Sequence, residues 1–271
     1  MTEPESSPSG RGSATRLAVG ITAAAAATVV TVGLTTSLLG AVSPGESQLV
    51  LAGGRPLAGA APVPNGSVER GDDLKPGGTA SPQNAFSAWA VQMAASTGVP
   101  ARALEAYAVA ERSMAGEQPG CHLGWPTLAG IGYVESANGG VGKGLLPSGR
   151  PFVPIFGVGL DGVGPVAEVA DSDDGRIDGD ASGDRAVGPM QFLPSTWTTW
   201  QADGDGDGVK DPQDIDDAAL AAARYLCVAG DLGTGEGWTA AVLSYNHSEE
   251  YLRNVYSAAS TIAARSVSSA R

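Results

Sequence analysis

Apolar residues recur at helical spacing from residue 84 onward. Phe86, Trp89 and Met93 predict a first helix, which ends at Gly98 because glycine readily adopts the left-handed conformation that closes a helix. Later stretches repeat this pattern between helix starters such as proline and helix breakers such as glycine. They predict helices over Pro100–Gly116, Trp125–Asn138, Pro194–Trp200, Asp214–Val228, Trp238–Tyr245 and Ser248–Ala264. The chain is therefore predicted to fold as a mainly α domain.

The stretch Val141–Val187 interrupts these helices and is rich in Gly, Pro and Asp. Only Phe152–Val158 within it has a strand-like composition. We predict a long loop or a small hairpin insertion. Loops of this length in compact domains are usually functional or disordered.

An uncharged segment, Leu17–Pro44, precedes the helical region and exceeds the ~20 residues that cross a bilayer as a helix. A cleaved signal peptide is the alternative, but its apolar region usually runs only ~7 to 15 residues. We favour an uncleaved anchor. Arg16 and the tail 1–16 then stay in the cytoplasm, and everything after Pro44 is exported.

Composition divides the exported part into three pieces. Residues 45–83 are dominated by Gly, Pro, Ala and Ser and predict a flexible linker with too little apolar surface to fold alone. Residues 84–265 hold the predicted helices and form the folded domain. Residues 266–271 are a short C-terminal tail.

The net charge of −13 is concentrated in one part of the chain. Asp161–Asp217 holds fifteen acidic residues against Arg176, Arg185 and Lys210. Such a field repels nucleic acid and suits a bound cation, so no nucleic-acid partner is expected.

Two cysteines, Cys121 and Cys227, lie in the exported part, where the compartment permits disulfides. A single bridge between them is the simplest expectation, and two unpaired buried thiols are the alternative. A bridge would stabilise the fold by roughly 4 to 5 kcal/mol on the chain-entropy model.

Glu135 follows the apolar run 128–134 near the end of a predicted helix. Apolar surroundings disfavour the charged carboxylate and raise its pKa, so the acid can stay protonated near neutral pH and donate its proton to a leaving oxygen. The alternative is a helix-terminal glutamate paired with a neighbouring cation.

The acidic segment 203–214 matches the twelve-residue calcium loop, with Asp at positions one, three and five and Gly208 at position six. Position twelve is Asp where Glu is usual, which predicts modest affinity. A solvated turn without metal is the alternative. The stretch Asp171–Asp180 misses the pattern and is predicted to be a solvated turn. The expected calcium ligands are Asp203, Asp205, Asp207, Val209 through its carbonyl, Asp211 and Asp214.

Two further segments offer mixed polar and apolar surface. Gly188–Trp197 contains Met190, Gln191 and Phe192, a combination suited to gripping a sugar. Tyr245-Asn246 closes a predicted helix. Taken singly, such side chains are more often core or cap residues than sugar contacts. His122 and His247 have no metal-ligand spacing, so surface or hydrogen-bonding roles are expected for them.

In this order, the motif Gly132-Tyr133-Val134-Glu135-Ser136, the segment Gly188–Trp197, the calcium loop and Tyr245-Asn246 resemble the exported bacterial lytic murein transglycosylases of the membrane-bound B type. The resemblance covers about Asn84 to Ala264. It implies a lysozyme-like (α+β) domain that binds peptidoglycan glycan strands and a structural Ca²⁺.

The resemblance also implies a reaction. Glu135 would protonate the oxygen between N-acetylmuramic acid and N-acetylglucosamine, then take the proton of the C6 hydroxyl that attacks C1, giving a 1,6-anhydro end without water. Ser136 would hydrogen-bond near the acid or the N-acetyl group. The implied groove residues are Met190, Gln191, Phe192, Tyr245 and Asn246.

Two alternatives stay open at this point. An acid such as Asp178, Asp180 or Asp184 could assist Glu135 and make the enzyme a hydrolytic muramidase, since most glycosidases use two carboxyl groups. A non-catalytic wall-binding scaffold would keep the groove without the reaction.

Overall fold

The computed structural model describes residue 57 and residues 60–64, 85–160 and 168–268. In these parts of the chain the regular elements are helical, and a short 3₁₀ turn, Pro119–Cys121, precedes the third helix. The helices are α1 Ser87–Thr97, α2 Ala101–Glu117, α3 Trp125–Ser136, α4 Pro194–Trp200, α5 Ile215–Cys227, α6 Gly235–Tyr245 and α7 Glu249–Ser268.

Helix α3 forms the centre of the fold. Its residues from Trp125 to Gly132 are all buried, as expected of a helix that is apolar on every side. It packs most extensively against α7 and also contacts α2 and α5. Gly130 permits this close approach, because a Cβ there would lie 2.7 Å from the Cβ of Ala259 and 3.0 Å from the carbonyl oxygen of Val255.

The predicted helices are confirmed, with small shifts at their ends. Gly98 closes α1 at φ 78° and donates its N–H to Ala94. The Ser248 hydroxyl caps α7 by accepting the N–H of Tyr251. Helix α6 begins three residues earlier than predicted, because Thr234 caps it.

In the described parts of the segment 141–187, which are 141–160 and 168–187, the alternative of a small hairpin is met only by isolated bridges and not by regular strands. Phe156 pairs with Val187 through an isolated bridge, and Val187 pairs in turn with Phe192. Phe152 and Val158, at the two ends of the apolar stretch, are exposed. The stretch therefore does not extend the bridge between Phe156 and Val187 into a strand pair. The region between α3 and α4 is therefore a long, locally bonded loop, which was the other half of the prediction.

Part of the predicted linker 45–83 packs against the helical domain. Ala61 and Val63 are less than a tenth exposed and belong to the hydrophobic core. The N–H of Ala61 donates to the hydroxyl of Ser266, and its carbonyl accepts the indole N–H of Trp125 at 3.0 Å. A short part of the predicted linker thus contacts the core of the domain, and the predicted tail begins with a buried serine, Ser266, inside α7.

The start of α3 is fixed from two sides. Cys121 and Cys227 form the predicted disulfide, which ties the turn before α3 to the end of α5 and rules out unpaired thiols. Glu111 of α2 accepts the backbone N–H of Trp125 at 2.6 Å and so caps α3. Burial raises the pKa of Glu111 to about 7.

No helix among the described residues is both long and apolar enough to cross a membrane. The predicted anchor, residues 17–44, lies outside the described residues.

Candidate active site

Glu135 lies in the last turn of α3, where the chain leaves the core. Ala137 and Asn138 adopt left-handed conformations at φ 53° and 57°, and they turn the backbone away directly after the glutamate. The buried Asn138 side chain accepts the hydroxyl of Tyr107 at 2.8 Å, which holds this turn against α2. The end of α3 is therefore rigidly placed.

The surroundings of Glu135 favour its protonated form. Burial raises the pKa of Glu135 to about 7, and a hydrogen bond from Tyr251 opposes this rise. The Tyr251 hydroxyl of α7 donates to Oε1 at 2.6 Å. Within the described residues no cation forms a salt bridge with Glu135. The structure therefore does not form the ion pair that was the alternative role for this glutamate.

Tyr251 is the site residue that the sequence interpretation missed. It is 2% exposed and lies on the face of α7 that packs against α3. Burial and the charge of Glu135 raise the pKa of the Tyr251 phenol well above its usual value, so the phenol is a permanent donor at working pH. Tyr251 lies five residues after Asn246 and three after the helix cap Ser248. This position in the sequence indicates only that the side chain faces the core and does not indicate that it contacts Glu135.

Ser136 is hydrogen-bonded within the fold, and its expected contact near the acid or the substrate stays a prediction. It is 2% exposed, donates to the carbonyl of Pro189 at 2.6 Å and accepts the N–H of Gly139 at 2.8 Å. A serine hydroxyl has one proton to donate. Ser136 therefore fastens the end of α3 to the segment that begins at Gly188.

The Gly188 segment forms a tight turn beside Glu135. Gly188 has φ 79°, and a Cβ there would lie 1.7 Å from the carbonyl oxygen of Pro212, so only glycine fits. Gln191 also has a positive φ, 51°, and its side-chain N–H donates to the carbonyl of Gly188. Of the three predicted sugar contacts, Gln191 is the accessible one.

Met190 and Phe192 serve the core instead. Met190 is fully buried and Phe192 is 3% exposed. The ring of Phe192 packs edge to face against Trp197 and Tyr245. These two predicted groove residues therefore shape the site from beneath, although Phe192 still forms part of the wall of a cleft.

Tyr245 links this segment to α6. Its hydroxyl donates to the carbonyl of Met190 at 2.7 Å, and its pKa is raised by burial and by the charge of Glu135. Asn246 ends α6, is 4% exposed and accepts the N–H of Ser248. The structure thus brings Tyr245 to the site, and Asn246 acts as a helix cap.

A half-open cleft lies next to this segment and is lined by aromatic and hydroxyl side chains. Tyr225 packs edge to face against both Trp200 and Tyr245 in its wall. Rings and hydroxyls in one wall suit a sugar, which has apolar faces and polar edges. The lining residues are Gln191, Phe192, Leu193, Thr196, Tyr225, Ser244 and Tyr245.

The calcium-loop segment folds into a tight acidic turn before α5. Oxygens of Asp203, Asp205 and Asp217 lie within 4.8 Å of one another, and a second such group combines Asp205 with Asp214 and Asp216. Burial, together with the charges of neighbouring acids, raises the pKa of Asp205 to about 6 and that of Asp217 to about 7. Crowded carboxylate oxygens fit a hard cation such as Ca²⁺.

The predicted ligand set agrees with this arrangement in part. Asp203, Asp205 and Asp214 belong to the clusters, and Asp214 also caps α5. Asp207 accepts the N–H of Val209, and Asp211 forms a salt bridge with Arg150. Asp216 and Asp217 were not predicted, because they lie beyond position twelve of the loop pattern.

The second acidic stretch, Asp171–Asp180, is only in part the solvated turn that we predicted: the Asp174 side chain is 90% exposed, but other acids in or beside the stretch are buried. Asp178 and Asp184 are fully buried, and Asp173 is 7% exposed. Their carboxylates accept backbone N–H groups of the same loop, and Asp184 bonds both the N–H and the hydroxyl of Ser172. These hydrogen bonds solvate the buried carboxylates in place of the water that the composition of the loop led us to expect.

None of the three acids proposed to assist Glu135 forms a hydrogen bond with it. Asp178 accepts from Asp180 and Arg185, and Asp180 accepts from Ser182, so each is committed within the loop. The histidines lie apart, as predicted: His122 pairs with an aspartate at the surface, and His247 is exposed.

Comparison with known proteins gives one family match. Residues 167–258 match the family of the transglycosylase SLT domain. The matched segment contains the Gly188 turn, the acidic turn before α5 and Tyr245-Asn246. Glu135 lies outside it.

The structure was also compared with solved structures. The Escherichia coli lytic transglycosylase Slt35 in complex with bulgecin A aligns with 68% of this chain and 72% of its own, at 14% identity and a TM-score of 0.29. No curated protein matches the sequence.

Proposed function

We propose that this protein is a lytic transglycosylase that cleaves peptidoglycan glycan strands. The observation that carries the proposal is the state of Glu135: a recessed carboxyl group at a helix end, with a pKa of about 7 and a single tyrosine as its hydrogen-bond partner. The similarity of residues 167–258 to transglycosylase SLT domains supports the substrate class.

One carboxyl group suffices for the reaction that we propose. Glu135 donates its proton to the glycosidic oxygen while the bond from that oxygen to C1 of the muramoyl residue breaks. The resulting carboxylate then takes the proton of the C6 hydroxyl, whose oxygen bonds to C1. Glu135 is thereby reprotonated, no water is consumed, and the strand ends in a 1,6-anhydro sugar. A pKa near the working pH suits a group that acts both as acid and as base.

The neighbours of Glu135 divide the remaining tasks. Tyr251 orients the carboxyl group by donating to Oε1 and stabilises the carboxylate once the proton has left. Gln191 and the cleft beside it bind the sugar. Ser136 and Tyr245 hold the Gly188 turn from opposite sides, through Pro189 and Met190.

We further propose that Ca²⁺ binds at the acidic turn before α5, where Asp203, Asp205 and Asp217 offer oxygens within reach of one another. Its role would be structural, because this turn leads into α5. We also propose that the domain acts outside the cytoplasm, held to the membrane by residues 17–44, since the disulfide fits an oxidising compartment.

Product analysis tests the reaction. Purified protein should release glycan fragments with anhydro-muramoyl ends from isolated sacculi, as measured by liquid chromatography with mass spectrometry. Exclusively reducing ends would replace the proposal with a hydrolytic muramidase. E135Q should lose at least about a hundredfold in rate. Release that is unchanged in E135Q would remove Glu135 as the catalyst, and a wild type that binds strands without cleaving them would be a scaffold.

A further inference from the structure

A cation lies over an exposed aromatic ring at the border of the site. The guanidinium carbon of Arg185 is 4.6 Å from the ring centroid of Phe156, whose side chain is 41% exposed. Contacts of this kind contribute roughly 0.5 to 1 kcal/mol at exposed positions and orient both partners. The pair forms a composite surface, with an apolar ring and a planar array of hydrogen-bond donors side by side.

The backbone places this pair next to Gln191. Phe156 forms the isolated bridge with Val187, and the N–H of Gly157 donates to the carbonyl of Ala186 at 2.7 Å. The α-carbon of Gly157 faces Gln191, since a Cβ there would lie 3.1 Å from its Oε1. The Phe156–Arg185 pair therefore continues the surface that begins at the Gly188 turn.

Arg185 has an electrostatic neighbour in Asp180, whose pKa it helps to lower, but its guanidinium makes no direct bond to a carboxylate of the described residues. Its Nε and Nη2 both donate to a neutral backbone carbonyl, that of Asp178, at 3.1 and 2.7 Å. Among the described residues it forms no salt bridge with a carboxylate, although it lies in the most acidic part of the chain. Arg176, in the same loop, does pair with an acid, Asp174. Arg185 is thus held in a fixed orientation, and its guanidinium is not bonded to a carboxylate in the part of the chain that the structure describes.

A fixed guanidinium recognises a planar anion, above all a carboxylate, through paired hydrogen bonds. An exposed phenyl ring beside it packs on the apolar face of a sugar or on an alkyl chain. A glycan strand that bears peptides combines both features, because its stem peptides hang from the sugars and end in carboxylates. A strand stripped of its peptides keeps only the lactyl carboxylate directly on each muramoyl ring and lacks the carboxylates farther out along the stem.

We propose that Phe156 and Arg185 form a recognition site for the peptide stem of the glycan strand, with Arg185 binding a stem carboxylate, and that the enzyme therefore prefers peptide-bearing strands. This inference rests on the proposed function. It assigns to the long loop between α3 and α4 a role in substrate choice that is separate from bond cleavage.

The test uses the full chain and two forms of one substrate: soluble glycan strands with their stem peptides, and the same strands after an amidase has removed the peptides. The readout is the ratio of kcat/KM on peptide-bearing strands to kcat/KM on stripped strands. R185M should lower this ratio about tenfold, because a charge-assisted hydrogen bond is lost. R176M is the matched control: it removes one positive charge from the same loop and should leave the ratio unchanged.

A second variant guards against damage to the loop. F156L keeps the bonds from Arg185 to the carbonyl of Asp178 and should lower the ratio a few-fold, and melting curves of all variants should stay close to wild type. The proposal is overturned if neither R185M nor F156L changes the ratio, or if R176M lowers it as much as R185M does.

Binding separates this inference from the proposed function. Affinities of E135Q and of E135Q/R185M for the two substrates can be measured by isothermal titration calorimetry without turnover. E135Q should bind peptide-bearing strands about tenfold more tightly than stripped ones, and E135Q/R185M should bind both alike. If the wild type cleaves neither substrate, the proposed reaction fails, whereas the binding preference still decides the role of Arg185.

Discussion

Replacing Tyr251 by Phe should move the pH range in which the enzyme works. The Tyr251 hydroxyl donates to Oε1 of Glu135 and stabilises the charged carboxylate, so it counteracts the effect of burial on the pKa of this acid. A hydrogen bond to a charged group contributes roughly 1.5 to 3 kcal/mol, and one pKa unit corresponds to about 1.4 kcal/mol. The pKa of Glu135 in Y251F should therefore rise from about 7 by roughly one to two units.

The assay is the pH dependence of kcat/KM on soluble glycan strands. This quantity reports ionisations of the free enzyme, and its alkaline limb should follow the loss of the proton from Glu135. In Y251F the limb should move to higher pH by roughly one to two units, and the maximal rate should fall because the carboxyl group is less firmly oriented.

Y256F provides the matched control. Tyr256 lies on the same helix, and its ring packs against Trp238 at a centroid distance of 5.8 Å. Removing its hydroxyl should leave the alkaline limb where it is. A limb in Y251F that stays in place or moves to lower pH would refute the reasoning that the tyrosine stabilises the carboxylate of Glu135.

Three further predictions concern stability. The folded protein keeps a proton on Glu135 up to about pH 7, whereas the unfolded chain loses it near pH 4.5. The stability that Glu135 contributes through this raised pKa is therefore fully present at low pH and is lost as pH rises through 7. At pH 8 the unfolding free energy of E135Q should exceed that of wild type by up to about 3 kcal/mol, so its melting temperature should be higher, whereas at pH 4 the two should differ little. An equal difference at both pH values would contradict this prediction. G130V should lower the unfolding free energy measured in urea by about 1 to 3 kcal/mol or more, because the valine side chain would collide with α7. G116A is the control: a Cβ at residue 116 meets nothing within 4 Å, so this variant should be neutral or slightly more stable. About 1 mM Ca²⁺ should raise the melting temperature of wild type and of D174N, whose carboxylate is 90% exposed, but not that of D203N; a wild-type curve indifferent to Ca²⁺ would refute the metal assignment.

Helix positions could be predicted because local residues determine them. Gly98 closes α1 and Pro194 begins α4 through backbone preferences that do not depend on the rest of the fold. The disulfide followed from there being two cysteines in an exported domain. Glu135 could be singled out because the apolar run before it is long enough to bury a helix.

The errors arose where distant parts of the chain determine the outcome. Phe152–Val158 has the composition of a strand, but strand formation needs a partner, and the structure supplies one residue, Val187. Asp173 and Asp178 were predicted to lie in a solvated turn because composition does not show that a loop can satisfy carboxylates with its own N–H groups.

Site residues were predicted less well than the helices. Tyr251 was missed because an inward-facing tyrosine in an amphipathic helix is usually an ordinary core residue, and only the packing of α7 on α3 brings it to Glu135. Met190 and Phe192 were assigned to the groove because they flank Gln191. The positive φ of Gln191 turns its side chain away from theirs, which the motif does not reveal.

The attachment of Ala61 to Trp125 and Ser266 shortens the tether of an anchored enzyme. With an anchor that ends at Pro44, only sixteen residues separate the membrane from this attachment point, a span of at most about 60 Å. A tether running to residue 83 would reach about 140 Å. The docked segment would thus confine cleavage to the layer of wall nearest the membrane. The contacts of Ala61, which lie far along the chain from the groove residues, would then limit how deep into the wall the enzyme reaches.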